Sequence, residues 1–417
     1  MSKLKRLFKN NFFKNVAKLA TGTAIAQALA LAFIPILTRV YSQEAFGILA
    51  AFTAVVTFIS SFATLKYDTA LVLPKEDKDA YSLLKLSNIV TLIITIICVL
   101  IMFLPVSYFK EYQGLQILIG IGVLLSVNYN NSALWNIRFK HFNSTSISKV
   151  VQSIAVFAFQ YLLYSFYDLK GLVIGNVLGI SIAGLYLILT RKFDWQIYRA
   201  ISKNEMLSQA KRYIDFPKYF TLSNAILSLS SSLPILLFVK FIPLAQIGLY
   251  GIALKVIGQP VTLISTSLRS VILGDMAEKR NNNKSIIKWY LKIFFGLFGV
   301  SVVAAIILLF FSDFIVSIFL GEDWGQAGLY IKMLIPLLIS MMIASPGTAA
   351  VRVFEMQKYS LKYSIVSLVV KAITLLTLFV YEIVEFEYVI LIYSFVNLAL
   401  VLANNSIILF KIRAYEK

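Results

Sequence analysis

Lys255 stands in the stretch GLYGIALKVIGQP, residues 248–260, where the three residues on either side of it are apolar or small. A lysine at the centre of a membrane helix costs roughly 2.5–3.5 kcal/mol on insertion scales, so its charge needs a use. At helical spacing Gly248, Gly251, Lys255, Gln259, Thr262, Thr266 and Arg269 fall on one face, and aliphatic residues such as Ile252, Val256, Ile257 and Val261 fill the others. A stripe with two cations and an amide faces protein or a wet cavity, not lipid. Pro260 removes one backbone hydrogen bond at the same level and permits a kink. None of the twenty Asp and Glu falls at the centre of an apolar run, whereas Lys255 and Lys371 do. A cavity that holds cations and no acids prefers an anion, and anion recognition is the chemistry expected here. The alternative for Lys255 is a structural pairing with an acid or a backbone carbonyl.

Other polar residues repeat the pattern. The apolar run 44–65 carries Thr53, Thr57, Ser60 and Thr64, with Asp68 beyond it. The first run offers Thr23, Gln27 and Thr38, with Arg39 at its end, and the seventh offers Asn224, Ser228, Ser231 and Ser232 before Pro234. With the helix of Lys255 these are expected to line one shared cavity. Interhelical packing is the competing explanation for the serine and threonine stripes. Lys371 is equally deep, on a stripe with Ser364, Ser367 and Thr374, and its reading divides between function and structure. The stretch SVNYNNSALWNIRFKH, with Asn128, Asn131, Trp135 and Arg138, reads as a sugar-binding lip or as a solvated helix end.

The elements that must position these residues follow from hydropathy. The chain has 417 residues, 59% hydrophobic and 14% charged, against about 25% charged in a soluble domain. Runs long enough to cross about 30 Å of hydrocarbon fall near 15–38, 44–65, 81–106, 114–137, 145–167, 170–190, 218–239, 244–271, 287–312, 327–350, 360–381 and 387–411. This is an all-α integral membrane protein with about twelve transmembrane helices. The basic stretch after the sixth run divides it into a six-helix lobe at 1–190, a cytoplasmic linker at 191–217 and a second six-helix lobe at 218–417. Two such lobes are expected to surround a central cavity.

Lys and Arg set the orientation. Lys3, Lys5, Arg6, Lys9 and Lys14 begin the chain, and the even-numbered connections carry most of the other bases. The odd-numbered ones hold scattered bases and many acids, including Glu322, Asp323, Glu382, Glu385 and Glu387. Both termini are therefore expected in the cytoplasm. The net charge of +19 is explained by this topology, not by nucleic acid. The first apolar run is too long for a cleaved leader and reads as a retained helix. The halves also echo one another: FIPILTRVYSQEAFGILAAF and SLPILLFVKFIPLAQIGLYGIAL each place Pro-Ile-Leu near a helix end, then a polar turn, then a helix opening with an aromatic or aliphatic residue and glycine.

Chemistry of the covalent kind finds no support. Cys98 and His141 are the only residues of their types, so neither a disulfide nor a histidine metal cluster is expected. No P-loop, nucleotide fingerprint or nucleophile elbow occurs. The reading is of a non-enzyme without catalytic residues, metal or cofactor. A membrane polymerase or glycosyltransferase would need a sizeable outer loop, and the longest expected here is SDFIVSIFLGEDWGQ.

PILTRVYSQEAFGILAAF, LKYDTALVLPKEDKDA, AKRYIDFPKYFTLSNAILSLSSSLPILL, GLYGIALKVIGQP and FLGEDWGQAGLYIKMLIP together resemble the successive motifs of bacterial oligosaccharide-lipid flippases. These are the O-antigen and polysaccharide flippases of the multidrug/oligosaccharidyl-lipid/polysaccharide exporter superfamily. The resemblance implies a two-lobed bundle of twelve helices in the bacterial inner membrane. It implies movement of a polyprenyl-pyrophosphate-linked oligosaccharide between leaflets, with membrane lipid and polysaccharide polymerase or other assembly proteins as partners. The pyrophosphate would meet Lys255, with Arg39 and Arg269, in a cavity that also presents Gln27, Thr57, Asn224, Ser228, Gln259 and Lys371. A lysine acts as a point charge and lacks the bidentate fork of arginine. A multidrug or metabolite exporter of the same fold is the alternative, against which the missing central carboxylate counts.

Overall fold

The computed structural model describes residues 11–282, 285–381 and 385–416. Lys3, Lys5, Arg6, Lys9, Lys284 and Glu382 lie outside them, as do the side chains of Lys14, Thr266 and Arg269. Twelve helices among the described residues are long and apolar enough to cross a membrane, and no strand occurs among them. They are α1 Asn11–Leu37, α2 Gln43–Ala63, α3 Asp77–Met102, α4 Gln116–Arg138, α5 Phe142–Leu163, α6 Gly171–Thr190, α7 Leu222–Phe241, α8 Leu244–Asn281, α9 Ile287–Phe319, α10 Ile335–Val353, α11 Gln357–Val380 and α12 Phe386–Glu416. The protein is a multi-pass, all-α membrane protein.

Three expectations from hydropathy need correction. The run 327–350 is two helices, Gly325–Met333 and α10, which meet at Leu334 just ahead of Pro336. α8 continues ten residues past the expected end at 271, because Ile272 and Met276 still present a buried stripe while Asp275 and Glu278 stay exposed. The stretch SDFIVSIFLGEDWGQ is mostly not a loop: α9 runs to Phe319, and Asp313, which looked like its end, pairs with Lys332 at 2.5 Å. Gly321, at φ 103°, then turns the chain.

The helices group into two compact units. Unit 1 comprises residues 1–33 and 48–240, and unit 2 comprises 34–47 and 241–417. Inside unit 1, α5 and α6 pack closely through the motif GLVIGNVLG. A Cβ on Gly175 would lie 2.6 Å from the backbone nitrogen of Gln160, and one on Gly179 would lie 2.5 Å from the Cα of Val156. Small residues at this spacing let membrane helices approach backbone to backbone, where dispersion replaces the missing hydrophobic drive. Gln160 Nε2 adds a hydrogen bond across the pair to the Leu172 carbonyl, 2.8 Å away. Gly179→Leu is expected to destabilise the fold by about 3 kcal/mol or more. Thermal unfolding in detergent checks this, with Gly184→Ala as a neutral control because a Cβ there meets nothing within 4 Å.

The polar segment after α6 folds onto unit 1 as two short helices, Trp195–Ala200 and Lys203–Arg212. Trp135 Nε1 donates to the Lys192 carbonyl at 2.9 Å, Lys85 Nζ to Ile201 at 2.9 Å and Tyr67 Oη to Ala210 at 3.3 Å. Ser202 and Glu205 form a reciprocal capping box. The Glu205 carboxyl is held down to about 2 by its hydrogen bond from Lys78 and those from Ser202.

Unit 2 contains the first turns of both α2 and α8, where two glycines meet. A Cβ on Gly47 would lie 2.0 Å from the Leu244 carbonyl oxygen, and one on Gly248 would lie 1.9 Å from that of Gln43. Each glycine is the fifth residue of its helix. Trp324 seals the neighbourhood: it is 2% exposed, donates from Nε1 to the Thr38 carbonyl at 3.0 Å and stacks edge-on against Phe46 at 5.1 Å. Gln43 Nε2 donates to the Asp323 carbonyl at 2.6 Å. Farther along, Tyr290 of α9 donates to Asn405 of α12, whose Nδ2 reaches the Ile343 carbonyl of α10 at 3.4 Å.

Candidate functional site

α9 shows what lipid contact looks like in this chain. Between Ile293 and Phe311 its exposed side chains are Phe295, Phe298, Val300, Val303, Ile306, Ile307, Leu309, Phe310 and Phe311, an apolar belt with no polar member. α8 is the reverse. Ile252, Ala253, Ile257 and Val261 are buried, while Lys255 is exposed and Gly251, Gln259 and Thr262 are half-buried. Exposed polar groups within a span cannot border hydrocarbon cheaply.

Lys255 is the twelfth residue of α8, roughly 16 Å along it at 1.5 Å per residue, beyond the reach of a lysine stem to the helix end. It makes no hydrogen bond or ion pair with the described residues. One turn on, the Oε1 of Gln259 is buried without a hydrogen-bond partner among them, as is the Oε1 of Gln27 on α1. Lys371 differs. It is 9% exposed, on the buried stripe of α11 with Ser364 and Ser367. Arg39 is exposed in the turn after α1. These cations therefore occupy three different segments, two of them exposed and one buried.

Unit 1 brings Thr57 and Ser228 together. Ser228 Oγ donates to the Thr57 carbonyl at 3.4 Å, and both residues line a cavity of about 300 Å³ with Ser60, Ser61, Thr64 and Asn130. Thr53 and Thr57 are exposed on α2 although most of their neighbours are buried. Asn224 lies one turn before Ser228 and donates to the Phe220 carbonyl of the preceding turn at 2.8 Å. It follows a π-helical turn, Phe216–Thr221, which opens the seventh span.

Sequence reasoning placed Asp68 on the stripe of this cavity but missed Lys66 and the turn that forms its floor. Leu65 and Lys66 both take left-handed backbone, φ 46° and 59°. For residues with a side chain this costs roughly 1–2 kcal/mol each. Thr64 holds the turn: its Oγ1 accepts from the Lys66 amide at 3.0 Å and donates to Asp68 Oδ1 at 2.8 Å. The turn sets Lys66 and the buried Asp68 into the cavity lining. Consecutive left-handed residues without glycine leave no mark in a sequence. Lys149 was missed for a different reason, being close enough to the start of its run to count as a helix end. In the structure it donates from Nζ to Thr23 Oγ1 of α1 at 2.6 Å, so Thr23 is engaged in an interhelical contact.

Residues 36–328 match the sequence profile of a family described as polysaccharide biosynthesis protein. No curated protein matches the chain significantly. Among solved structures, the chain is similar to the lipid II flippase MurJ in an inward closed conformation. That match has 13% identity and a TM-score of 0.72, covering 95% of this chain and 90% of that one. It is also similar to an inward-facing multidrug resistance MATE family transporter of the MOP superfamily, at 13% identity and a TM-score of 0.70 over 95% of both chains. An outward-facing MATE family transporter matches at 14% identity and a TM-score of 0.57, over 97% of this chain and 96% of that one. At these identities the shared property is the fold.

Proposed function

Given that this chain belongs to the polysaccharide biosynthesis protein family, we propose that it is a flippase for a polyprenyl-pyrophosphate-linked oligosaccharide. It moves this lipid from the cytoplasmic to the outer leaflet of the bacterial inner membrane by alternating access, supplying O-antigen, capsule or exopolysaccharide synthesis. The same proposal divides the chain into functional lobes at 1–190 and 218–417, joined by a cytoplasmic linker at 191–217, with both termini in the cytoplasm. Polysaccharide polymerase and assembly proteins would take the flipped product. No bond is made or broken, and the chain's part is binding, shielding and release.

The observation that carries this reading is Lys255, a cation exposed on a polar stripe deep within a span and without an acid to neutralise it among the described residues. A pyrophosphate supplies the missing charge, and the hydroxyls and amides of Thr57, Asn224, Ser228, Gln27 and Gln259 offer hydrogen bonds of the kind a sugar uses. Arg39 and Arg269 would extend the same field, with Lys371 in support from the protein interior. One observation favours the exporter reading instead: Asp68, a buried carboxylate lining the cavity of unit 1, is suited to a cation.

Reconstitution separates the two. Proteoliposomes loaded with a fluorescent pyrophosphate-linked oligosaccharide lipid, matched to the native glycan, should show protein-dependent movement between leaflets. Absence of movement together with export of organic cations would transfer the assignment to the exporter.

A further inference from the structure

A second polar pocket lies in unit 1, at the end of α6 where the two short helices dock. It holds about 140 Å³ and is lined by Asn88, Asn128, Asn131, Ser132 and Arg191 against the aromatic rings of Phe193, Trp195 and Tyr198. The Arg191 guanidinium lies 4.0 Å above the Phe193 ring and 5.9 Å from that of Trp195, and Nη1 reaches Ser132 Oγ at 3.5 Å. Asn131, 2% exposed, is fixed by donating from Nδ2 to Asn88 Oδ1 at 2.9 Å and Ser87 Oγ at 3.3 Å. Asn88 in turn donates to Tyr198 Oη at 3.4 Å.

Two atoms of this network have no partner among the described residues: the donor Arg191 Nε and the acceptor Asn131 Oδ1. Buried polar atoms without partners are uncommon, and each costs about 1–3 kcal/mol unless something meets it. A ligand that answers both carries an anionic acceptor and a hydroxyl donor. Burial also pushes the Arg191 pKa down. The size argues against a glycan, since pockets for drug-sized ligands run to about 300–1,000 Å³. The setting argues for lipid. Ile188 lines the pocket, and the same helix continues with Leu185 and Leu189, 50% and 75% exposed. Trp195 is itself half exposed, as an aromatic anchor at a membrane interface is.

We propose that this pocket binds the headgroup of an anionic glycerophospholipid of the phosphatidylglycerol type, its phosphate on Arg191 and its glycerol hydroxyl on Asn131. The acyl chains then lie along the apolar face of α6. The site is independent of the transported lipid and would hold a resident lipid against the segment that joins α6 to α7.

The test is native mass spectrometry of the full chain in detergent, titrated with phosphatidylglycerol or phosphatidylcholine. Wild type should retain phosphatidylglycerol about three- to tenfold more tightly, because phosphatidylcholine keeps the phosphate but lacks the hydroxyl for Asn131 and offsets the charge with its trimethylammonium group. Arg191→Gln should lose that preference. Asn128→Asp, which places a negative charge at an exposed position on the pocket wall, should lose it without disturbing packing. Equal retention of both lipids by wild type, or an undiminished preference in both variants, would overturn the proposal. Displacement of the lipid by equimolar glycerol 3-phosphate would reassign the pocket to a soluble phosphate, and displacement by a neutral oligosaccharide would reassign it to a glycan. Either result also overturns it.

Discussion

Lys255→Gln is expected to slow transbilayer movement of the pyrophosphate-linked lipid by about 10- to 100-fold, the worth of one charge-assisted contact to phosphate. The same substitution should leave the folded protein as stable as wild type, or more so. Removing a cation from the depth of a span relieves a cost of roughly 2.5–3.5 kcal/mol, and no hydrogen bond or ion pair to a described residue is lost with it. Opposite signs for stability and transport distinguish a group retained for function from one retained for packing. Lys255→Arg should keep most of the rate, because charge and length are preserved. Paired measurements of flipping in proteoliposomes and thermal unfolding in detergent decide the matter. If transport and stability fall together, Lys255 holds the fold, and the anion moves elsewhere. Lys371→Gln makes the contrasting case, since that lysine is buried and already has an interacting partner. Its loss should be felt in stability first.

The second large effect is expected at the crossing of α2 and α8. Gly248→Ala and Gly47→Ala each place a Cβ within 2.0 Å of a carbonyl oxygen of the opposite helix. Backbone at a helix start cannot swing aside as a side chain can, so the helices must separate. The expected loss is about 3 kcal/mol for either alanine and more for valine. Gly258→Ala, ten residues farther along α8, is the internal control. A Cβ there meets nothing within 4 Å, and alanine improves helix propensity by up to about 1 kcal/mol. Gly248→Ala and Gly258→Ala should therefore differ in sign along one helix, which thermal unfolding in detergent resolves. Equal tolerance at Gly47, Gly248 and Gly258 would show that the crossing is looser than described.

Much of the fold was legible because membrane spanning imposes a length and a composition that few other constraints mimic. The places where reading failed are physical rather than accidental. Hydropathy ended α8 at 271, yet an amphipathic helix continues wherever a stripe such as Ile272 and Met276 is buried. Asp313 read as a loop residue because its partner, Lys332, is nineteen residues away in sequence. In the candidate site, the polar stripe of α8 was visible from spacing alone, since one helix's face depends on nothing beyond itself. Of the floor, Asp68 was visible in the same way, but Lys66 was not, because left-handed turns without glycine carry no compositional trace. Of the Arg191 pocket only the Asn128 and Asn131 wall stood out, because the rest draws on α3, α6 and the segment that follows.

The meeting of Gly47 with Gly248 has a consequence in terms of descent. Both follow a Pro-Ile-Leu, both are the fifth residue of their helix, and each fills the space the other needs. A chain of half this length that paired with its own copy through that glycine would make an isologous contact, one residue type meeting itself. Gene duplication and fusion would carry the contact unchanged into a single polypeptide. From then on neither position is free to drift, because a larger residue at one cannot be offset by a smaller one at the other. Glycine is already the smallest there is.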